Sequence, residues 1–270
     1  MIDLDSSLPI VLALAREAGR AISVIYRQPI DQQGIQYKSD NSPLSLADQR
    51  AHTIIAEGLI SHFPTIPILS EESALPGYDI RKNWPAYWLV DPLDGTKEFV
   101  ERTSEFTVNI ALVVDGFPVL GVIYAPEQDS LYWGSASGAF RQVEGQRPEP
   151  IQVERRAAAE TLRILSSRRH GLEGLKQHLP KLQQATLCSV GSSLKFCWLA
   201  EGRADVYPRF GPTSEWDTAA GHCILEAAGG AVVCLDGALL RYNQQANIVQ
   251  GSFLACANPD LVKYLLSLCA

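Results

Sequence analysis

Apolar residues recur at helical spacing over residues 6 to 28, where Leu8, Val11, Leu12, Ala15, Ala18, Ile22 and Ile25 form one stripe behind Ser6 and Ser7 as candidate caps. The pattern predicts an amphipathic scaffold helix. Tyr37 to Pro43 reads as a turn-rich loop, and Ser45-Leu-Ala-Asp48 then has the spacing of a capping box for a helix running to about His62, stopped by Pro64. Ile66 to Glu72 is a short apolar strand ending in acid, and Gly77 to Pro85 reads as a loop. Tyr87-Trp-Leu-Val90 is a buried-strand run that meets Asp91 and then Pro92, so a strand is expected to end at Asp91. From Phe106 the period becomes that of strands: 106 to 114, an Asp115-Gly116 hairpin signal, then 119 to 124, 131 to 134 and 138 to 143. This predicts an antiparallel meander.

Residues 144 to 150, with one glycine and two prolines, make the best boundary, dividing residues 1–147 from 148–270. Beyond it strands are expected at 162 to 166, 186 to 190, 204 to 207, 231 to 235 and 253 to 257. Helices are expected at 171 to 179, 192 to 201, 217 to 228 and 259 to 268, the last capped by Asn258 with Pro259 at its first position. The chain reads as an α+β half followed by an α/β half.

Composition changes this picture little. The chain has 270 residues, 46% hydrophobic and 20% charged, and has no apolar run long enough to span a membrane. An acidic N-terminus in place of a secretory signal points to a cytoplasmic protein. Six cysteines without a Cys-x-x-Cys pair, in mostly apolar surroundings, read as buried thiols of a reducing compartment. A net charge of -7 with no Lys/Arg run argues against nucleic acid as a partner, and leaves small anionic substrates open if a metal ion and local basic side chains meet them.

Candidate chemistry gathers where elements end. Asp91-Pro-Leu-Asp94-Gly95 places two carboxylates about one turn apart, and two such charges 4 Å apart repel by about 4 kcal/mol at an effective dielectric of 20. A divalent cation answers that repulsion, and a polar turn with no function is the bland alternative. Gly95 and Thr96 open a short helical stretch whose backbone N–H groups can face an anion. Glu71 stands at another strand end, and Asp217 at a helix start, where it also reads as a simple cap. Oxygen ligands without cysteine or a histidine partner favour magnesium, with manganese as an alternative.

Glu71-Glu72, Asp91-Pro-Leu-Asp94-Gly-Thr96 and Trp216-Asp217-x-Ala-Ala-Gly resemble the signature motifs of the inositol monophosphatase superfamily of lithium-sensitive, magnesium-dependent phosphatases. Lys38-Ser-Asp-Asn-Ser-Pro-Leu-Ser-Leu-Ala-Asp48, Thr96-Lys97-Glu98-Phe99, Gly191-Ser-Ser-Leu-Lys195 and Tyr207-Pro-Arg209-Phe-Gly-Pro are similar to its CysQ-type branch, the 3'(2'),5'-bisphosphate nucleotidases. The inositol branch usually has Thr-x-Asn-Phe where this chain has Thr96-Lys97-Glu98-Phe99.

The resemblance implies an αβαβα sandwich and hydrolysis of 3'-phosphoadenosine 5'-phosphate to AMP in sulfur metabolism. It also implies two or three Mg2+ ions held by Glu71, Asp91, the Leu93 carbonyl, Asp94 and Asp217, with Asp48 and Thr96 as the pair that activates water. Asp48 has a competing reading as the third helical residue of a capping box. The substrate is expected to meet Glu71, Leu93, Asp94, Gly95, Thr96 and Asp217, with His170, Ser192, Lys195 and Arg209 facing the nucleotide; His170 also reads as an ordinary loop histidine. A covalent route through Asp91 is disfavoured by the Asp-x-x-Asp spacing. The rivals are an inositol or other sugar monophosphatase and a catalytically silent binding protein on the same scaffold.

Overall fold

The structure is a computed structural model that describes residues 4–37, 43–166 and 185–268. The expected helix at 171–179 and His170 lie outside the described residues.

The strands β1 (Gln36–Tyr37) and β2 (Pro43–Leu44) form a small antiparallel pair. A seven-stranded sheet follows, made of β3 (Ile68–Ser70), β4 (Ala86–Asp94), β5 (Thr107–Val114), β6 (Phe117–Ala125), β7 (Ser130–Ser135), β8 (Gly138–Val143) and β9 (Glu149–Ile151) in chain order. The β3–β4 pair is parallel and the rest is the expected antiparallel meander. Asp115 and Gly116 turn β5 into β6 with φ of 51° and 81°, the positive pair of a type I′ hairpin. The second sheet has the order β11 (Ala185–Ser189), β10 (Leu162–Ser166), β12 (Val206–Arg209), β16 (Phe253–Cys256), β14 (Ala231–Cys234). A two-residue pair, β13 (Thr213–Ser214) with β15 (Val249–Gln250), stands apart.

Helices sort these sheets into layers. The helices α1 (Leu4–Tyr26) and α2 (Leu46–His62) cover one face of the first sheet, packing on Trp88, Val90, Val108, Ile110 and Leu112. The alternate residues Tyr87, Leu89, Ala111 and Val113 face the other way, onto α5 (Leu194–Ala200) and α6 (Glu215–Ala227). Those helices also meet Tyr207, Val232, Phe253 and Ala255 of the second sheet, whose far face (Ile164, Val206, Leu254, Cys256) is closed by α7 (Leu261–Leu268). The order is helix, sheet, helix, sheet, helix, the αβαβα sandwich expected. The central strands β4 to β7 of the first sheet and β12 and β16 of the second are covered on both faces, which is why they read as near-continuous apolar runs, while the edge strands β9 and β11 are largely exposed.

The close seating of α6 is written in two paired glycines. A Cβ on Gly121 of β6 would lie 2.3 Å from the Ala220 carbonyl oxygen, and one on Gly134 of β7 would lie 2.6 Å from the Ile224 Cα. Here the helix backbone rests on the sheet. Because α6 lies in the second half of the sequence and β9, beyond residue 148, pairs with β8, the two halves share one core.

Three expectations need correction. Gly77 to Pro85 contains a short helix, α3 (Tyr78–Arg81), anchored by the fully buried Arg81. Its Nη2 donates to the Gln245 and Ala246 carbonyls at 2.9 and 2.6 Å, and its Nη1 to Asn243 Oδ1. The strand expected at 204 to 207 is β12 at Val206–Arg209: Ala204 still closes the turn after α5, its N–H bonded to the Trp198 carbonyl at 3.2 Å, and the ladder with β16 runs on to Arg209. The third concerns β4, which does not end at Asp91 but runs to Asp94. Cys197, Cys223 and Cys256 are buried free thiols as expected, Cys188 and Cys234 are free but only half-buried, and Cys269 lies outside the described residues.

Candidate active site

In a regular strand residues 91 and 94, three apart, would point to opposite faces. The structure solves this with a bulge. Asp91 pairs with Asn109 and Asp94 with Thr107, so three steps on β4 oppose two on β5, and both carboxylates come to the face that meets α6. Pro92 lies within this irregular stretch, where its missing N–H is tolerated, and the Leu93 N–H donates to Asp91 Oδ1 at 3.0 Å. Gly95 then takes φ of +89°, and a Cβ there would meet the Glu105 carbonyl and the Ser192 Cβ at 3.2 Å. The five-residue α4 (Thr96–Val100) follows.

Asp217 arrives from the second half of the sequence. It is the third residue of α6, and its Oδ2 accepts from the Ser214 N–H at 3.0 Å and from Thr213 Oγ1 at 2.7 Å, completing a capping box. It is a cap and also a member of an acidic cluster. One carboxylate oxygen from each of Asp91, Asp94 and Asp217 lies within 4.8 Å of the others. Asp91 is buried and its carboxyl is held well above the usual range, first by burial and then by the charges of Glu71, Asp94, Asp217 and Asp48. Asp94 is pushed up to about 7 by burial and by Asp217, against the opposing charge of Lys195. Burial also raises Asp217, and its bonds to Thr213 and Ser214 oppose that rise. Burial and mutual repulsion thus favour the neutral acids over the bare carboxylates, and an all-oxygen, carboxylate-rich donor set of this kind fits a hard divalent cation.

Asp48 sits beside this cluster as the third residue of α2. Its Oδ2 accepts from the Ser45 N–H at 2.7 Å and Ser45 Oγ at 2.6 Å, while its Oδ1 accepts from Thr96 Oγ1 at 3.3 Å. Thr96 Oγ1 also lies 3.3 Å from the Leu93 carbonyl. Burial lifts Asp48 to about 6. Glu71 follows β3, its N–H bonded to the Val90 carbonyl at 3.1 Å; it is not one of the three clustered acids, but its charge raises both Asp91 and Asp48.

The expected basic residues stand on the second-half side. Lys195 is buried, with Nζ 2.6 Å from the Ser192 carbonyl and 5.5 Å from the Tyr207 ring centre. Arg209 Nε donates to the Gly211 carbonyl at 3.2 Å and Nη2 to that of Pro212 at 2.5 Å, and its charge bears on Asp217. Ser192 adopts φ of +48°. Sequence reasoning missed Ser193, whose N–H donates to Asp94 Oδ2 at 2.6 Å, and its partners Thr107 and Asn109. A signal existed for the last two: they are polar residues at inward positions of an otherwise apolar strand.

A layered sandwich with carboxylates converging from a strand end and a helix start defines a class. The model of the inositol monophosphatase family matches residues 3–266, and the chain belongs to that family. Within it, the chain is 46% identical over 245 residues to the 3'(2'),5'-bisphosphate nucleotidase CysQ of Escherichia coli K12, covering 90% of this chain and 96% of that protein. It is 35% identical to the protein of the same name from Haemophilus influenzae, covering 90% of each. Among solved structures, CysQ from Bacteroides thetaiotaomicron superposes with a TM-score of 0.80 at 37% identity, over 93% of this chain and 97% of that one. The inositol monophosphatase from Anabaena gives 0.77 at 28% identity, over 99% and 96%. Among the described residues no helix is long and apolar enough to cross a membrane.

Proposed function

We propose that this chain is a magnesium-dependent 3'(2'),5'-bisphosphate nucleotidase that hydrolyses 3'-phosphoadenosine 5'-phosphate to AMP and phosphate, in sulfate-activation metabolism of the cytoplasm. One observation supports it most: an acidic trio with the hydrogen-bonded Asp48–Thr96 pair near enough to act on Asp91 and with Lys195 and Arg209 near enough to act on Asp217. Glu71, Asp91, the Leu93 carbonyl, Asp94 and Asp217 would hold the metal, Mn2+ being an alternative. When bound, it supplies charge neutralisation for the phosphoryl oxygens and the leaving ribose oxygen.

The chain's own groups then have separate tasks. The attacking water gives its proton to Thr96 Oγ1, which passes its own to Asp48 Oδ1 as the new P–O bond forms and the bond to the ribose oxygen breaks, and the released ribose oxygen takes up a proton from solvent water. Asp48 is kept in place by two bonds to Ser45 and is free to receive on its other oxygen. Lys195 and Arg209 meet the 5'-phosphate, the group an inositol phosphate lacks. Ser192 is a further candidate to face the nucleotide, as is His170, which lies outside the described residues.

Lys195→Ala and Arg209→Ala should each cost the bisphosphate about 1.5 to 3 kcal/mol in kcat/KM, the scale of a charged hydrogen bond, and leave inositol monophosphate turnover nearly unchanged. Measuring both substrates in wild type and variants decides the matter. Equal losses on both would move these residues to the scaffold, and better wild-type turnover of inositol monophosphate would replace the nucleotidase reading with a sugar monophosphatase.

A further inference from the structure

Strand β5 breaks its own pattern at two places. Thr107 and Asn109 lie on the face occupied further along by Ala111 and Val113, and both are at most 1% exposed. Valine and leucine there would serve the sheet better, since buried hydroxyl and amide groups are unfavourable unless hydrogen-bonded. Their places in the register are those of the acids: Thr107 opposite Asp94, Asn109 opposite Asp91.

Ser193, 2% exposed and 84 or more residues away in sequence, closes a triangle with them. Its Oγ donates to Asn109 Oδ1 at 2.7 Å and lies 2.7 Å from Thr107 Oγ1, and Thr107 Oγ1 lies 3.1 Å from Asn109 Oδ1. The same residue's backbone N–H donates to Asp94 Oδ2 at 2.6 Å. Ser193 is therefore fastened to β5 by its hydroxyl and holds Asp94 by its amide. Its neighbour Ser192 carries the carbonyl that receives Lys195 Nζ. Asn109 Nδ2 remains a buried donor without a partner, on the rung that also carries Asp91, where facing residues stand about 5 Å apart at Cβ.

We infer that the Thr107–Asn109–Ser193 triangle is a positioning device of the active site. It aims the Asp94 carboxylate at the cation and fixes the spacing between the acidic trio and the Ser192–Lys195 turn, so metal affinity and grip on the second phosphate are set by one joint. The inference rests on the metal-site reading above. None of the three side chains touches the reacting atoms in this scheme.

Binding of Mn2+ to the substrate-free protein, followed by calorimetry, tests it without recourse to turnover. Ser193→Ala and Thr107→Val should weaken Mn2+ about tenfold, the lower end of what loss of a supporting hydrogen bond costs a metal site. Thr107→Ser, which keeps the hydroxyl, should restore it. With Mg2+ present, kcat should fall on both the nucleoside bisphosphate and p-nitrophenyl phosphate, whereas KM should rise for the bisphosphate alone. Thr107→Val is close to isosteric and suited to a strand, so it carries the test if Ser193→Ala does not fold. Folded variants with wild-type Mn2+ affinity and only a lowered melting temperature would reduce the triangle to packing and overturn the inference. A wild type that binds no Mn2+ would instead overturn the metal-site reading, and the inference with it.

Discussion

Asp205 and Asp91 are equally buried, at 1% exposure, and their surroundings differ completely. Asp205 receives the Arg163 N–H at 2.7 Å, its Nε at 3.0 Å and its Nη2 at 2.7 Å, with Arg156 Nε at 3.8 Å. Its charge is met by the chain itself. Asp91 receives the Leu93 N–H and faces Asp94, Asp217, Glu71 and Asp48. A buried acid enclosed by a fork of arginine donors is a structural joint, complete as it stands. A buried acid turned toward other acids lacks that enclosure, and the proposed cation is what would answer its charge. Glu215 lies between the two: burial pushes it up to about 7, while the Asn243 N–H at 2.9 Å and the Arg81 charge draw it down.

The contrast can be broken most sharply at the trio. Asp94→Asn should lower phosphate release at saturating Mg2+ by at least about a hundredfold, yet leave the metal-free protein as stable as wild type or more so, because it removes repulsion and keeps shape. Near-normal turnover with Mg2+ would remove Asp94 from the metal site. Asp205→Asn should do the opposite. Cutting a buried pair costs about 3 to 5 kcal/mol, and the partial exposure of Arg163 brings the expected loss nearer 2 kcal/mol, with activity per folded molecule unchanged. Urea unfolding together with an activity assay on the folded fraction reads both numbers, and a fall in specific activity at constant stability would end the comparison.

A smaller effect sharpens it. Without metal, Asp94 titrates at about 7 in the folded chain against 3.8 when unfolded, so between those values the folded state holds a proton the unfolded state has released. The stability this group contributes is full below pH 3.8 and is lost as pH rises through 7. Asp48, raised to about 6, acts in the same sense. In EDTA the melting temperature of wild type should therefore fall more steeply between about pH 5 and 7.5 than that of Asp94→Asn, and Mg2+ should flatten the wild-type slope. Parallel slopes in EDTA would contradict the assigned repulsion.

Much of the fold is legible where a local rule decides. The stripe of α1, the Ser45–Asp48 box of α2, and Asp115–Gly116 between two apolar runs each carry their instruction within a few residues. What could not be read depends on pairing across distance. Pro92 argues locally for the end of a strand; only the register with β5 turns it into a bulge and moves Asp94 to the face of Asp91. The α3 turn is likewise held by contacts of Arg81 with residues 243 to 246. At the site, the acids announced themselves by residue type, whereas Ser193 works through its backbone N–H, which every residue but proline has. Both N3 acids, Asp48 and Asp217, invited two readings, and the structure places each in a capping box, with Asp217 one of the acidic trio and Asp48 near enough for its charge to act on Asp91.

The seat of α6 on Gly121 and Gly134 has a consequence for how the chain is made. On a ribosome β4 to β7 emerge first, and the face they will give to α6 has no cover until residue 227 has been added, on the order of ten seconds later at usual rates of synthesis. Until then Tyr87, Leu89, Ala111 and Val113 lack the full set of helical residues that cover them in the finished fold, with the acids of β4 already in the chain and Asp217 not yet made. One late helix both closes the apolar face and delivers the third carboxylate, so the acidic trio is completed in the same event that covers the sheet.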